Sequence, residues 1–113
     1  IESVEFVNQD MALCVGENDQ VYDPVTAAQA ADSLLSMSGV DASFVITRRE
    51  DGRVGISARS LGEINVQVYM EQLGGGGHLS NAATQIEGQS VDEVKQSLID
   101  LLTATDETTP ESN

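Results

Sequence analysis

The sequence is poor in the residues that build self-sufficient chemistry. Among its 113 residues there is one cysteine, Cys14, one histidine, His78, and no tryptophan. A single cysteine excludes an internal disulfide framework and every cysteine-based zinc site. A two-metal hydrolytic centre needs several Asp and His ligands on ions ~3.5–4 Å apart. One histidine and no dense aspartate motif argue against such a centre. Basic residues are also scarce: five Lys and Arg stand against nineteen Asp and Glu, a net charge of −14. That balance is wrong for coating nucleic acid or for attaching to an anionic membrane. No apolar run reaches the ~18 residues of a membrane span. The opening, Ile1 to Phe6, has neither a basic segment nor an initiator methionine. It is not a signal peptide and reads like a cut inside a longer protein.

Hydrophobic residues make up 40% of the chain. That suffices for one domain, since ~100 residues bury roughly two-thirds of their unfolded surface. The domain is expected over residues 1–102. Residues 103–113 are polar, acidic and aperiodic, and are expected to form a disordered tail.

Val4 and Phe6, then Met11 to Val15, suggest one or two strands around a turn at Asn8-Gln9-Asp10, the second run buried on both faces. Asp23-Pro24 opens a helix, with Asp as cap and Pro in the first turn. Ala27, Ala28, Ala31, Leu34, Leu35 and Met37 supply its apolar side, and Ser38-Gly39 stops it. Ala42 to Thr47 and Val54 to Arg59, joined through Glu50-Asp51-Gly52, form a β-hairpin. A helix is expected from about Leu61 to Leu73, ended by Gly74. Ala82 to Ile86 is a short strand. Ser90 and Glu93 form a capping box before a last helix with Val94, Leu98, Ile99, Leu101 and Leu102 apolar. This order specifies an α/β domain, a mixed sheet of about four or five strands with helices packed on it.

Gly74-Gly75-Gly76-Gly77-His78 is the most unusual feature. Ordering four glycines costs more backbone entropy than ordering any other four residues. Such a run offers backbone N–H groups unobstructed by any Cβ, a nest suited to phosphate oxygens. His78 adds a donor that titrates near neutral pH. A flexible linker is the plainer alternative. Arg48, Arg49, Arg53 and Arg59 place four of the five basic residues in the hairpin. The first three read as solubilising charge at its tip. Arg59 ends a strand, where open α/β sheets bind ligands, and it suits bidentate phosphate recognition. Asn65 serves either a ligand or its own loop. Ser80 and Asn81 read as turn residues, and Cys14, Met37 and Met70 as core.

The stretch Ile56 to Val68, with Ser57-Ala58-Arg59-Ser60 and Asn65-Val66-Gln67, followed by the four glycines, His78 and Asn81-Ala82-Ala83, resembles the DHH-associated domain of the DHH-family phosphoesterases. Within them it is most similar to the membrane-anchored cyclic-di-AMP phosphodiesterases of the GdpP type, found in Gram-positive bacteria. The resemblance spans roughly residues 11–102. It implies a substrate-binding domain that closes over a nucleotide held by an upstream DHH domain of the same chain. That DHH domain would carry two divalent metal ions, usually manganese, with none in the present domain, and would produce pApA. The substrate-binding positions carried over are Arg59, Ser60, Asn65, Gly75, Gly76, Gly77 and His78. The resemblance places the domain on the cytoplasmic side, without membrane contact of its own, in a protein anchored in the membrane. A homodimer is a further expected partner, and long nucleic acid is not. The alternatives are the partner domain of a RecJ-like short-oligonucleotide phosphoesterase, an RNA-binding module, and a dimerisation domain.

Overall fold

The computed structural model describes residues 4–17 and 20–111, with side chains as far as residue 104. The elements run β1 (Val4–Val7), β2 (Met11–Val15), α1 (Pro24–Leu35), β3 (Ala42–Arg48), β4 (Val54–Ser60), α2 (Val66–Gln72), β5 (Gly76–His78), β6 (Asn81–Ile86) and α3 (Val91–Glu111). They form a mixed sheet of order β1-β2-β3-β4-β6-β5 with three helices packed on it. The class is the expected one; the sheet has six strands where about four or five were anticipated from the pattern.

The additional strand is β5, made from the last two glycines of the run and His78. Glycine has no side chain to pack and no strand preference. The strand exists because its backbone pairs antiparallel with β6, Gly76 opposite Ala83 and His78 opposite Asn81. The second half of the run, Gly76 and Gly77 with His78, is therefore an edge strand, and the run is neither a free loop nor a linker.

Local chemistry sets the other elements. Asn8 and Gln9 take positive φ, 56° and 75°, which turns β1 back onto β2. The Asp23 carboxylate accepts from the Thr26 N–H at 2.8 Å and caps α1. This hydrogen bond holds the Asp23 carboxyl below its ordinary pKa. The helix ends at Leu35, capped by Ser36, before the expected Ser38-Gly39 stop. Met37 consequently lies beyond the apolar face and is 42% exposed, not core. The Ser90 and Glu93 side chains each accept from the other's backbone N–H, at 3.1 and 2.9 Å, closing the capping box of α3. α3 carries the chain helically past residue 103, the expected start of a tail. Extending a formed helix costs far less than nucleating one. Residues 112 and 113 lie outside the described residues.

The sheet divides two cores. On one face Leu13, Phe44, Ile46, Ile56 and Ala58 meet Val66 and Met70 of α2 and Val94, Leu98 and Leu102 of α3. On the other, Ala12, Cys14 and Val45 meet Ala27, Ala31 and Leu34 of α1. The small residues let α1 sit close to the sheet, and the Ser43 hydroxyl donates to the Ala31 carbonyl at 2.7 Å. α1 lies chiefly over β3 and β4 and reaches Ala12 and Cys14 of β2. The α1-side face of β6 and β5 is left open, with Asn81, Ala83, Gln85 and His78 exposed. This open strip is where the fold presents its candidate site.

Candidate functional site

Register assembles the strip. Arg59 on β4 lies opposite Asn81 on β6, and His78 on β5 lies opposite the same Asn81. Directly opposed residues of antiparallel strands share a face. Arg59, Asn81 and His78 thus form one row across three strands. Gly76 lies opposite Ala83 in the adjoining row, on the same face because side chains alternate with period two.

The Arg59 fork is held in place. Its Nε donates to Asp32 Oδ1 of α1 at 2.9 Å, and its Nη1 donates to the Ala58 carbonyl at 3.0 Å. No protein acceptor among the described residues engages Nη2. The arginine side chain is 15% exposed and its Asp32 partner 63%. The guanidinium is fixed beneath a carboxylate that water reaches freely.

The four glycines separate by role. Gly74 and Gly75 close α2 in a Schellman motif: Gly75 N–H reaches the Met70 carbonyl at 2.8 Å and Gly74 N–H the Glu71 carbonyl at 3.1 Å. Gly74 takes φ +90°, the left-handed conformation that this cap requires. A Cβ on Gly75 would run into the Ala83 carbonyl and Thr84. Gly77 takes φ +142°, and a Cβ there would meet Ala82 Cα and the Asn81 carbonyl, both at 2.6 Å. Gly76 alone lacks such a reason. Its φ is not positive, and a Cβ built on it would meet no heavy atom within 4 Å. Local packing and backbone conformation leave that position unexplained, and it opens onto the strip.

Two sequence candidates sit elsewhere. Ser60 alternates to the face opposite Arg59 and is buried. Its hydroxyl donates to the Leu79 carbonyl at 3.4 Å and accepts from the Gly62 N–H at 3.0 Å. Asn65 is the N-cap of α2, accepting from Gln67 N–H at 3.0 Å and Val68 N–H at 3.4 Å. α2 starts at Val66, not near Leu61, because this cap and not the apolar spacing begins it. The structure thus brings together Arg59, Gly76 and His78. It gives Ser60 and Asn65 bonds that hold the loops beside them, and gives Gly75 and Gly77 packing constraints.

Asn81 and Asp32 join the site without having been singled out for it. Asn81 reads as a turn residue until register places it between Arg59 and His78. Asp32 is an unremarkable helix carboxylate until α1 docks. Among the described residues no group of three or more His, Cys, Asp and Glu side chains could hold a metal ion. The two ions implied by the resemblance have no such ligand set among these residues. No helix among the described residues is long and apolar enough to cross a membrane.

The DHHA1 domain family matches residues 8–104. A cyclic-di-AMP phosphodiesterase, PdeA of Listeria monocytogenes, is 57% identical over 104 residues, covering 92% of this chain and 16% of that protein. A second, GdpP of Bacillus subtilis, is 63% identical over 83 residues, covering 73% of this chain and 13% of that protein. Among solved structures, an exopolyphosphatase-related protein from Bacteroides fragilis superposes with TM-score 0.66 at 20% identity, covering 86% of this chain and 31% of that one. That last likeness concerns the fold alone. The chain spans about one-sixth or less of the curated relatives it matches.

Proposed function

The chain belongs to the DHHA1 domain family, and on that premise we propose that it is the substrate-binding domain of a cyclic-di-AMP phosphodiesterase whose catalysis resides in a separate DHH domain. The observation that carries this reading is the open position at Gly76 beside the row Arg59–Asn81–His78. A phosphate group needs donors around a space free of side chains, and those residues supply both. Arg59 offers a planar fork already oriented by Asp32 and Ala58. Pre-orientation lowers the entropy that a contact to phosphate would otherwise cost. His78 and the Asn81 amide offer further donors in the same row, next to the space over Gly76.

In this reading the domain binds and orients. The reaction is hydrolysis of one phosphodiester of cyclic-di-AMP to give pApA, and the DHH domain of the same chain supplies the metal ions, manganese by family resemblance, and the attacking water. Full-length proteins of this kind would be anchored in the membrane, with the present domain on the cytoplasmic side. The net charge of −14 favours a short ligand gripped at one focused point over a long RNA, which would need an extended basic face.

The test compares hydrolysis of cyclic-di-AMP with that of linear pApA by the protein containing both domains, in wild type and in His78→Ala. Preference for the cyclic substrate, with a loss of roughly 10-fold to 100-fold in kcat/KM on substitution, is the expected result. Faster cleavage of the linear dinucleotide would instead favour a short-oligonucleotide phosphoesterase. Unchanged kinetics in His78→Ala would remove the histidine from the site.

A further inference from the structure

The charge along the open strip changes sign. Arg59, Asn81 and His78 lie at one end. Beside them runs a low row, Ser57 on β4, Ala83 on β6 and Gly76 on β5, with no side chain larger than that of serine. Gln85 follows on the same face of β6, opposite Gly55. It stands four residues from Asn81, roughly 13 Å along the strand. At this far end Gln85 lines a cavity of about 670 Å³ together with Tyr22, Asp23, Glu50 and Asp51. That volume lies within the usual ~300–1,000 Å³ of small-ligand sites. Three carboxylates there repel a phosphate, so an anionic group is kept at the Arg59 end and an uncharged group suits the cavity. Arg49 also borders the cavity, but its guanidinium occupies the place of a side chain over Gly55, and the residue is only 8% exposed. It is neither the solvated tip charge that its place in the hairpin suggests nor an open anchor for an anion.

The Gln85 amide has a fixed orientation. Its Oε1 accepts from Arg53 Nη1 at 2.9 Å. A guanidinium only donates, so the oxygen of the amide, not its nitrogen, must face it. Arg53 is itself held, its Nε 3.2 Å from Glu87 Oε2 and 3.6 Å from Asp51 Oδ2. No other group among the described residues engages the Gln85 amide. Nε2 therefore keeps both hydrogens for a ligand, and Oε1 keeps one lone pair. A donor beside an acceptor matches one purine edge. Adenine presents the N7 acceptor next to the N6 donor, whereas guanine presents two acceptors, N7 and O6. Guanine O6 would meet the Oε1 lone pair, and the hydrogen bond from Arg53 resists the flip that would relieve this.

We propose that Gln85, oriented by Arg53, is the base-reading residue of the strip, and that it selects adenine in a nucleotide whose phosphate lies over Gly76 beside Arg59 and His78. This inference rests on the substrate-binding function proposed above. The separation of Gln85 from the Arg59 row matches the reach of one nucleotide from its phosphate to the far edge of its base. The low row between them leaves room for the ribose. Gln85 touches the base; Arg53 acts through Gln85 and is a positioning residue.

The test uses the protein carrying both domains and compares kcat/KM for cyclic-di-AMP with kcat/KM for cyclic-di-GMP. Wild type should favour cyclic-di-AMP. Gln85→Ala should lower that preference about 10-fold or more, the discrimination that a bidentate base contact supplies. Its melting temperature should stay at the wild-type value, because Gln85 is exposed. Arg53→Met should lower the preference as well, since the freed amide can turn its nitrogen towards O6. Arg53→Lys should retain it, since an ammonium also demands the oxygen. His78→Ala should slow both substrates alike and leave the preference intact. An unchanged preference in Gln85→Ala would overturn the base reading, as would a wild type that does not distinguish the two substrates. If His78→Ala still slows cleavage in that case, the substrate-binding function stands without it. Unchanged kinetics in His78→Ala would instead strike the phosphate site, and this inference with it.

Discussion

Arg59 and His78 lie one strand to either side of Asn81, each in register with it. Two strand spacings of ~4.8 Å put their Cα atoms roughly 10 Å apart. Asn81 stands between them on the same face, and Gly76 opens the adjoining row. Eighteen residues separate Arg59 from His78 in sequence, and only the insertion of β6 between β4 and β5 brings them into one row.

The Arg59 fork is predicted to matter for binding more than for folding. Arg59→Ala in the two-domain protein should lower kcat/KM by roughly 10-fold to 100-fold, the value of a charge-assisted contact to phosphate. Arg59→Lys should restore little, because an ammonium lacks the planar pair of donors. Steady-state kinetics on both variants checks this.

Asp32 is predicted to restrain Arg59 at a cost in affinity. Asp32→Asn keeps an oxygen that accepts from Arg59 Nε but removes a charge that repels phosphate. An exposed ion pair contributes ~0–1 kcal/mol to stability, so the melting temperature should barely move. KM should fall by roughly 2-fold to 5-fold, the same energy expressed as binding. A raised KM would show that the charge of Asp32 is needed at the site.

Gly75 and Gly77 are predicted to be structural. Gly75→Ala forces a methyl group onto the Ala83 carbonyl, and Gly77→Ala adds backbone strain to a collision with Ala82. Each should destabilise the domain by about 1–3 kcal/mol. Thermal unfolding would register this as a drop of about 4–8 °C per kcal/mol for a domain near this size.

Asn65 is predicted to act as a cap. Asn65→Ala should cost ~1 kcal/mol, and Asn65→Asp should recover most of it, since both amide and carboxylate accept from Gln67 and Val68. If Asn65→Asp keeps full stability but loses substrate affinity, the Asn65 amide also contacts the ligand.

The Asp23 cap is predicted to give stability a specific acid dependence. Its folded-state pKa is lowered, chiefly by the hydrogen bond from Thr26 N–H. A carboxyl so depressed contributes stability above its unfolded pKa of about 3.9. That contribution is lost as the pH falls through the folded value. Wild type should therefore melt above Asp23→Ala at neutral pH, and the gap should close in acid below about pH 3.9.

Most of the scaffold was legible in the sequence because its signals are local. Asp23-Pro24, the Ser90–Glu93 box and the Asp51-Gly52 turn each fix an element boundary through neighbouring atoms. The boundary of α2 was misread because Leu61 and Ile64 continue the apolar spacing, while the cap at Asn65 sets the start. β5 was invisible because pairing to β6, a long-range contact, makes a strand of residues with no strand preference. The same holds at the site. Arg59, Gly76 and His78 stand out by residue type. Asn81 and Asp32 become relevant only through register and helix docking, and the burial of Arg49 only through the empty place over Gly55.

Gly76 is the one glycine of the run's four that the fold itself does not explain. Gly76→Val should be made in the protein carrying both domains, with melting temperature and kcat/KM for cyclic-di-AMP measured on the same sample. The prediction is a melting temperature close to wild type together with a loss of at least about 10-fold in kcat/KM, as expected when a side chain displaces a phosphate from its donors. Full activity in a stable Gly76→Val protein would contradict it, because the space over Gly76 would then hold nothing that the reaction needs.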